Sequence, residues 1–137
     1  MRSILNISST GKGLYEFTSD LRKELAAWPS FDGLLHIFLL HTSASLLIQE
    51  NADPTAKSDL EEFFDRLAPE HQAWHKHTLE GPDDTTSHLK SALTNSSLTI
   101  PVAMGEILIG QWQGIYLFEH REDSHVRKVV LTGIKSS

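Results

Sequence analysis

The sequence predicts an α+β domain, a mostly antiparallel sheet system of about seven strands with two or three helices inserted. Three observations carry this expectation. Short runs rich in Leu, Ile, Val and Thr recur along the chain and dominate its last third. Two segments place apolar residues at helical spacing between a capping residue and a proline. The 137 residues read as one unit, 1–137, with no repeat, low-complexity tract or long linker.

Residues 2–9, RSILNISS, alternate as a first strand, Gly11 and Gly13 mark a turn, and Leu14 to Phe17 read as a second short strand. Thr18 or Ser19 can cap a helix to about Ala27, with Phe17, Leu21, Leu25 and Trp28 toward the core and Pro29 as its stop. Residues 34–41, LLHIFLLH, are short for a buried helix and normal for a buried strand. Ser45 to Gln49 reads as a partner strand. Asp53-Pro54 starts a helix, Asp at the cap and Pro at the first helical position. Leu60, Phe63, Phe64 and Leu67 would be its buried stripe, and Pro69 ends it.

Residues 70–85 carry few apolar side chains and many His, Glu and Asp. A stretch that long without a core pattern points to function or disorder. Thr85, Thr86 or Ser87 can cap a short helix from His88 to Leu93. Strands follow at Leu98–Val102, within Glu106–Arg121 with a bend at Gly110 or Gly114, and at Arg127–Ile134.

Composition narrows the function. The net charge is −6, without a Lys/Arg-rich run, which argues against general nucleic-acid binding. The longest apolar stretch, Leu34 to Leu40, is interrupted by His36 and too short to cross a membrane. There are no cysteines, so disulfides and thiolate metal sites are excluded. A cytoplasmic protein is the expectation. Eight histidines stand out, and imidazole is the commonest metal ligand and the side chain that titrates near neutral pH.

Four clusters carry candidate chemistry. His77, Glu80-Gly81-Pro82-Asp83-Asp84 and His88 put imidazoles and carboxylates around a Gly-Pro turn. That donor set suits Zn, Mn, Fe or Ni, and equally a general acid/base pair; a solvated acidic turn is the plain alternative. His41-Thr42-Ser43 ends a buried strand, where hydroxyls and amides can hold an anion, or simply form a local turn around a core histidine. Glu50 and Asn51 stand at a strand-to-helix junction, as ligand contacts or as local caps. Gln111-Trp112-Gln113-Gly114-Ile115-Tyr116, then Glu119-His120-Arg121, combine a flat indole wall, amide groups and a close-approach glycine, or form an edge strand or subunit contact. His71, His75 and His125 read as surface residues, and of His36 and His41 the latter is the better pocket candidate.

These motifs, His41-Thr42-Ser43-Ala44-Ser45-Leu46, Glu50-Asn51-Ala52-Asp53-Pro54, His77 with Glu80-Gly81-Pro82-Asp83-Asp84, His88-Leu89-Lys90-Ser91 and Trp112-Gln113-Gly114-Ile115, resemble the YjbQ-like (secondary thiamine-phosphate synthase) family in order, from about Leu5 to Ile134. The resemblance implies a β-sandwich α+β fold, a homotrimer, and a site near a subunit boundary. It also implies a weak side activity joining a pyrophosphate-bearing pyrimidine to a thiazole phosphate. His77, His88, Asp83 and Asp84 would match the family's polar centre, and His41, Thr42, Glu50 and Asn51 its wall. Gln49 and Gln111 depart from the residues usual at those places.

The resulting expectation is an enzyme for a small phosphorylated substrate, assisted by a divalent metal. His77, His88, Asp83, Asp84 and His41 are the catalytic candidates, with His77 and His88 as metal ligands. Thr42, Ser43, Glu50, Asn51, Gly81, Trp112, Gln113 and Glu119 are the substrate-binding candidates. The alternative is a non-catalytic protein that holds a ligand or metal unchanged.

Overall fold

The computed structural model describes residues 1–137. The chain runs β1 (Arg2–Ser9), β2 (Gly13–Glu16), α1 (Thr18–Ala26), β3 (Gly33–Leu39), β4 (Ala44–Glu50), α2 (Pro54–Leu67), α3 (Asp84–Leu93), β5 (Ser97–Ala103), β6 (Glu106–Ile107), β7 (Gln113–Glu119) and β8 (His125–Lys135). Every strand pair is antiparallel. A five-stranded sheet has the order β1-β8-β3-β5-β6, and a three-stranded sheet the order β2-β7-β4. The expected α+β sandwich is thus present, with eight strands and three helices.

The main core fills the space between the sheets. Leu35, Ile37 and Leu39 of β3 and Val129 and Leu131 of β8 meet Ala44 and Leu46 of β4 and Ile115 and Leu117 of β7; Phe17, Leu21 and Leu25 close one side. A second cluster covers the other face of the smaller sheet: Leu14, Leu47, Tyr116 and Phe118 pack against Phe64 of α2. The strand β7 is therefore buried on both faces, which explains its unbroken apolar run rather than an alternating one.

Four expectations change. Ser45 to Gln49 does lie in a strand, but β4 pairs with β7 in the other sheet rather than with β3. His41-Thr42-Ser43 lacks the Gly or Asn of a tight hairpin and instead carries the chain across the sandwich. The α2 stripe is narrower than its periodicity suggests. Phe64 is buried against Phe118, while Phe63 and Leu67 are more than half exposed because α2 touches the sheet along one row only. The first helix starts without a side-chain cap, since the Thr18 hydroxyl is used by the Ile115 amide at 2.9 Å.

The fourth change shapes the site. The last helix begins at Asp84, four residues before the expected start. The Asp83 carboxylate is turned away to Arg121 and to the Glu122 amide, at 2.9 Å each, instead of capping the helix. The hydroxyls expected to cap it bond backward: Thr86 to the Asp83 carbonyl and Ser87 to the Asp84 carbonyl. Asp84 and His88 thereby become neighbours one turn apart on a single helix.

Candidate metal centre

Asp84 is almost wholly buried, at 1 % exposure, in the first turn of α3. Its Oδ1 accepts from Arg121 Nη1 at 2.8 Å and lies 3.4 Å from His88 Nε2. His77 reaches in from the loop before the helix. The Gly81 bend, with φ of +105°, turns the chain, and the Thr85 hydroxyl donates to the His77 carbonyl, closing the loop. His77 Nε2 then lies 2.5 Å from Asp84 Oδ2, and the two imidazole centroids are 5.4 Å apart.

Arg121 is the clamp behind the carboxylates. Its Nε donates to Asp83 Oδ2, its Nη1 to Asp84 and its Nη2 to the Glu80 carbonyl at 2.9 Å. Burial opposes the charge on Asp83, yet the Glu122 amide and Arg121 hold its carboxyl below the usual range. The same exchange operates in reverse on Arg121: burial disfavours its charge, but Asp83 raises its pKa.

The arrangement fits a divalent cation. The Thr42 carbonyl can only accept, so His88 Nδ1, 2.9 Å away, carries the proton of the neutral ring. The remaining lone pair on Nε2 then faces a carboxylate oxygen, and two acceptors repel unless a positive charge joins them. Asp84 Oδ2 is buried, and the polar atom against it is His77 Nε2 at 2.5 Å. One atom from each of His77, Asp84 and His88 lies within 4.8 Å of the others. Small side-chain rotations bring such a set to the ~2.1 Å ligand distances of zinc-like ions. Two imidazoles and one carboxylate, with His77 and His88 partly open to solvent, would hold such an ion and supply a Lewis acid that substrate could reach.

The other candidates fall into three groups. Gly81 shapes the loop, and Thr42 contributes its carbonyl to His88. His41 turns away: its Nε2 accepts from the Lys128 amide at 3.1 Å, and burial, with the adjacent Arg127, pushes its pKa down. Ser43 supplies its carbonyl to the His120 amide at 3.3 Å. Glu119 is fully buried and saturated by Ser9, the Arg127 guanidinium and the amides of His120 and Arg121.

Glu50, Asn51, Trp112 and Gln113 do not join this centre within the chain. Ala44 lies opposite Glu119 and Glu50 opposite Gln113, so they occupy the far end of a strand pair about 20 Å long. There Asn51 Nδ2 bridges the carbonyls of Gln111 and Gln113 at 3.3 Å, and Gln113 Oε1 accepts from the Gly110 amide at 2.7 Å. The indole of Trp112 is exposed.

The sequence groups His120 and Arg121 with Glu119 but assigns neither a role. The role of Arg121 follows from the need of adjacent Asp83 and Asp84 for a cation. His120 is buried beside Phe118, with Nε2 at 2.9 Å from Ser45 Oγ, a contact no local motif signals.

Residues 3–136 match the family model described as UPF0047 protein YjbQ-like. A UPF0047 protein of Synechocystis is 43% identical over 130 residues, covering 95% of this chain and 88% of its own. The YjbQ protein of Escherichia coli O157:H7 is 43% identical over 129 residues, covering 93% of each. The crystal structure of a conserved hypothetical protein from Thermus thermophilus superposes with a TM-score of 0.87 at 32% identity, over 96% of this chain and 99% of that one.

Proposed function

The chain belongs to the YjbQ-like UPF0047 family, and from that premise and its donor cluster we propose a metal-assisted enzyme for a small phosphorylated substrate. The carrying observation is the convergence of His77, Asp84 and His88 around one buried carboxylate, whose Oδ2 lies 2.5 Å from His77 Nε2. Asp84 is held rigid by Arg121, and His88 by the Thr42 carbonyl, so the two inner donors are preorganised. His77, the more exposed ring, is free to bind the ion or to exchange a proton with substrate.

The finer reading is the secondary thiamine-phosphate synthase reaction, in which a pyrimidine is joined to a thiazole phosphate with pyrophosphate leaving. A bound divalent ion supplies positive charge to phosphate oxygens, which a chain of net charge −6 otherwise lacks. Zn, Mn, Fe and Ni all suit this donor set.

Assembly as a homotrimer is part of the same proposal. The outer face of the five-stranded sheet supports it: Ile4 lies beside Val130 and Val130 beside Phe38, while Leu34 pairs with Ile134, and all but Val130 of these are exposed.

Elemental analysis of the purified protein, together with an assay for thiamine phosphate, tests the function. The expected result is one divalent ion per chain and slow product formation, both lost in His88→Ala while the fold is retained. Full retention of both by that variant overturns the proposal. A ligand that co-purifies and is never consumed makes the protein a binder instead.

A further inference from the structure

The three donors of the metal centre are not held alike. Asp84 and His88 stand one turn apart on α3, fixed by Arg121 and by the Thr42 carbonyl. His77 lies instead on residues 68–83, which carry no helix or strand. That segment is tied to the body near its two ends. The Glu70 carboxylate meets Lys12 at 2.6 Å, and the Glu80 carbonyl accepts from Arg121 at 2.9 Å. In between, the hydrogen bonds of residues 71–76 stay inside the segment. Gln72 Nε2 donates to the Glu70 carbonyl and the His75 amide to the Gln72 carbonyl, at 3.0 Å each. Its large apolar side chains stand in solvent, Trp74 at 64 % exposure and Leu79 fully. A stretch with so few buried contacts opens locally at a small part of the cost of global unfolding.

His77 is where the middle of the segment reaches the body. Its ring meets Asp84 Oδ2 at 2.5 Å, and its carbonyl accepts from the Thr85 hydroxyl in the first turn of α3. The same segment walls the space beside the centre. In a cavity of about 260 Å³, every lining residue but Thr85 belongs to it. In an apolar groove of about 480 Å³, its Gln72 and Trp74 face Leu67, Leu89 and Leu93 of the helices. Lifting the segment removes one side of both concavities. A cation shared by His77, Asp84 and His88 finds all three donors only in the closed form, so mass action draws the segment shut.

We propose that residues 70–83 form a strap that a divalent cation closes through His77, with the Thr85 hydroxyl as its latch, so that the ion completes both cavities. This rests on the metal-centre reading, to which it adds how access to the site is controlled.

Native-state cleavage by trypsin tests it, since cleavage follows the population of the open form. Lys76 is exposed and is the one Lys or Arg between Arg66 and Lys90. The full chain is freed of metal by dialysis against chelator and then titrated with zinc. Zinc binding is measured separately, by competition with a chromophoric chelator. Saturating zinc should slow cleavage after Lys76 about tenfold or more and leave cleavage after the exposed Lys135 unchanged. In His77→Ala, loaded at higher zinc, the rate after Lys76 should be the same with and without the ion. Thr85→Val should speed cleavage of the metal-free chain roughly fivefold, the effect of one lost hydrogen bond, and Thr85→Ser should restore it. Zinc that binds while the rate after Lys76 stays unchanged, or falls equally after Lys135, overturns the strap and leaves the metal centre standing. Protection by zinc that persists in His77→Ala also overturns it. A Thr85→Val chain cleaved like the wild type overturns the latch. Failure of the metal centre shows in the competition assay, as zinc binding unaffected by His88→Ala, and overturns the strap with it.

Discussion

Two buried carboxylates, Asp84 and Glu119, sit at the same end of the sandwich, each gripped by an arginine, and they differ in what is left over. Glu119 has both oxygens filled: Ser9 and Arg127 Nε on Oε1, Arg127 Nη2 and two amides on Oε2. Asp84 has Arg121 on Oδ1, with His88 Nε2 3.4 Å from the same oxygen, while its Oδ2 meets only the partly exposed His77 imidazole. A saturated carboxylate fixes structure, whereas an unsaturated one beside lone pairs is poised for a cation. Burial alone does not separate these roles; counting donors does.

The largest effect that would sharpen this contrast is on stability. Glu119→Ala strands the Arg127 charge, which is 3 % exposed, and should cost about 3–5 kcal/mol in urea unfolding. Asp84→Asn should unfold far less readily, since Arg121 keeps Asp83, but should lose zinc binding. If the two variants were equally destabilised, the division between structural and functional carboxylates would fail.

Acid should act next. Burial first, then the Lys90 charge, pushes His120 from 6.5 down to about 3. The unfolded chain thus binds this proton between those values while the folded chain does not. Stability is full above 6.5 and falls with pH through that window, by up to ~1.4 kcal/mol per pH unit. Glu119, opposed by burial but held below its usual range mainly by Arg127 and Ser9, adds a second loss at lower pH, as it protonates through its folded value. In His120→Gln the first slope should flatten, as read from unfolding free energy against pH; an unchanged slope would place the acid sensitivity elsewhere.

A smaller effect concerns the clamp. Arg121→Lys keeps the charge but cannot span Asp83, Asp84 and the Glu80 carbonyl together. Metal affinity should fall about 10–100-fold, as for other groups that orient ligands, with equilibrium dialysis as the readout. At the far end of the strand pair, Trp112→Ala should change monomer stability by no more than ~0.5 kcal/mol and leave metal affinity intact.

Much of the fold was legible because periodicity reports burial directly: β1, β5 and β8 follow their patterns, and Asp53-Pro54 caps α2 as expected, with Asp53 accepting from the Thr55 amide at 2.9 Å. The strand β3 forms where its apolar run predicts, but only one face is buried, and Leu34 and Phe38 stand exposed on the other. Sheet membership was not legible, because an extended run such as β4 looks the same whichever neighbour it pairs with. Of the site, His77, Asp84, His88 and the Gly81 bend were readable as one dense loop. The roles of Asp83 and Asp84 were not separable, since only the early start of α3 puts Asp84 one turn before His88. His41 and Glu119 carry the right chemistry but spend it on Lys128, Arg127 and Ser9, contacts 87, 8 and 110 residues away in sequence. His71 and His75 lack any local motif, and only the folded loop brings them beside His77.

Diffraction data collected at the zinc absorption edge from crystals grown with zinc test the central claim most directly. One anomalous peak per chain, within bonding distance of His77 Nε2, Asp84 and His88 Nε2, is the predicted result. A chain with no peak there, or with zinc held only by His71, His75 or His125, would contradict the account.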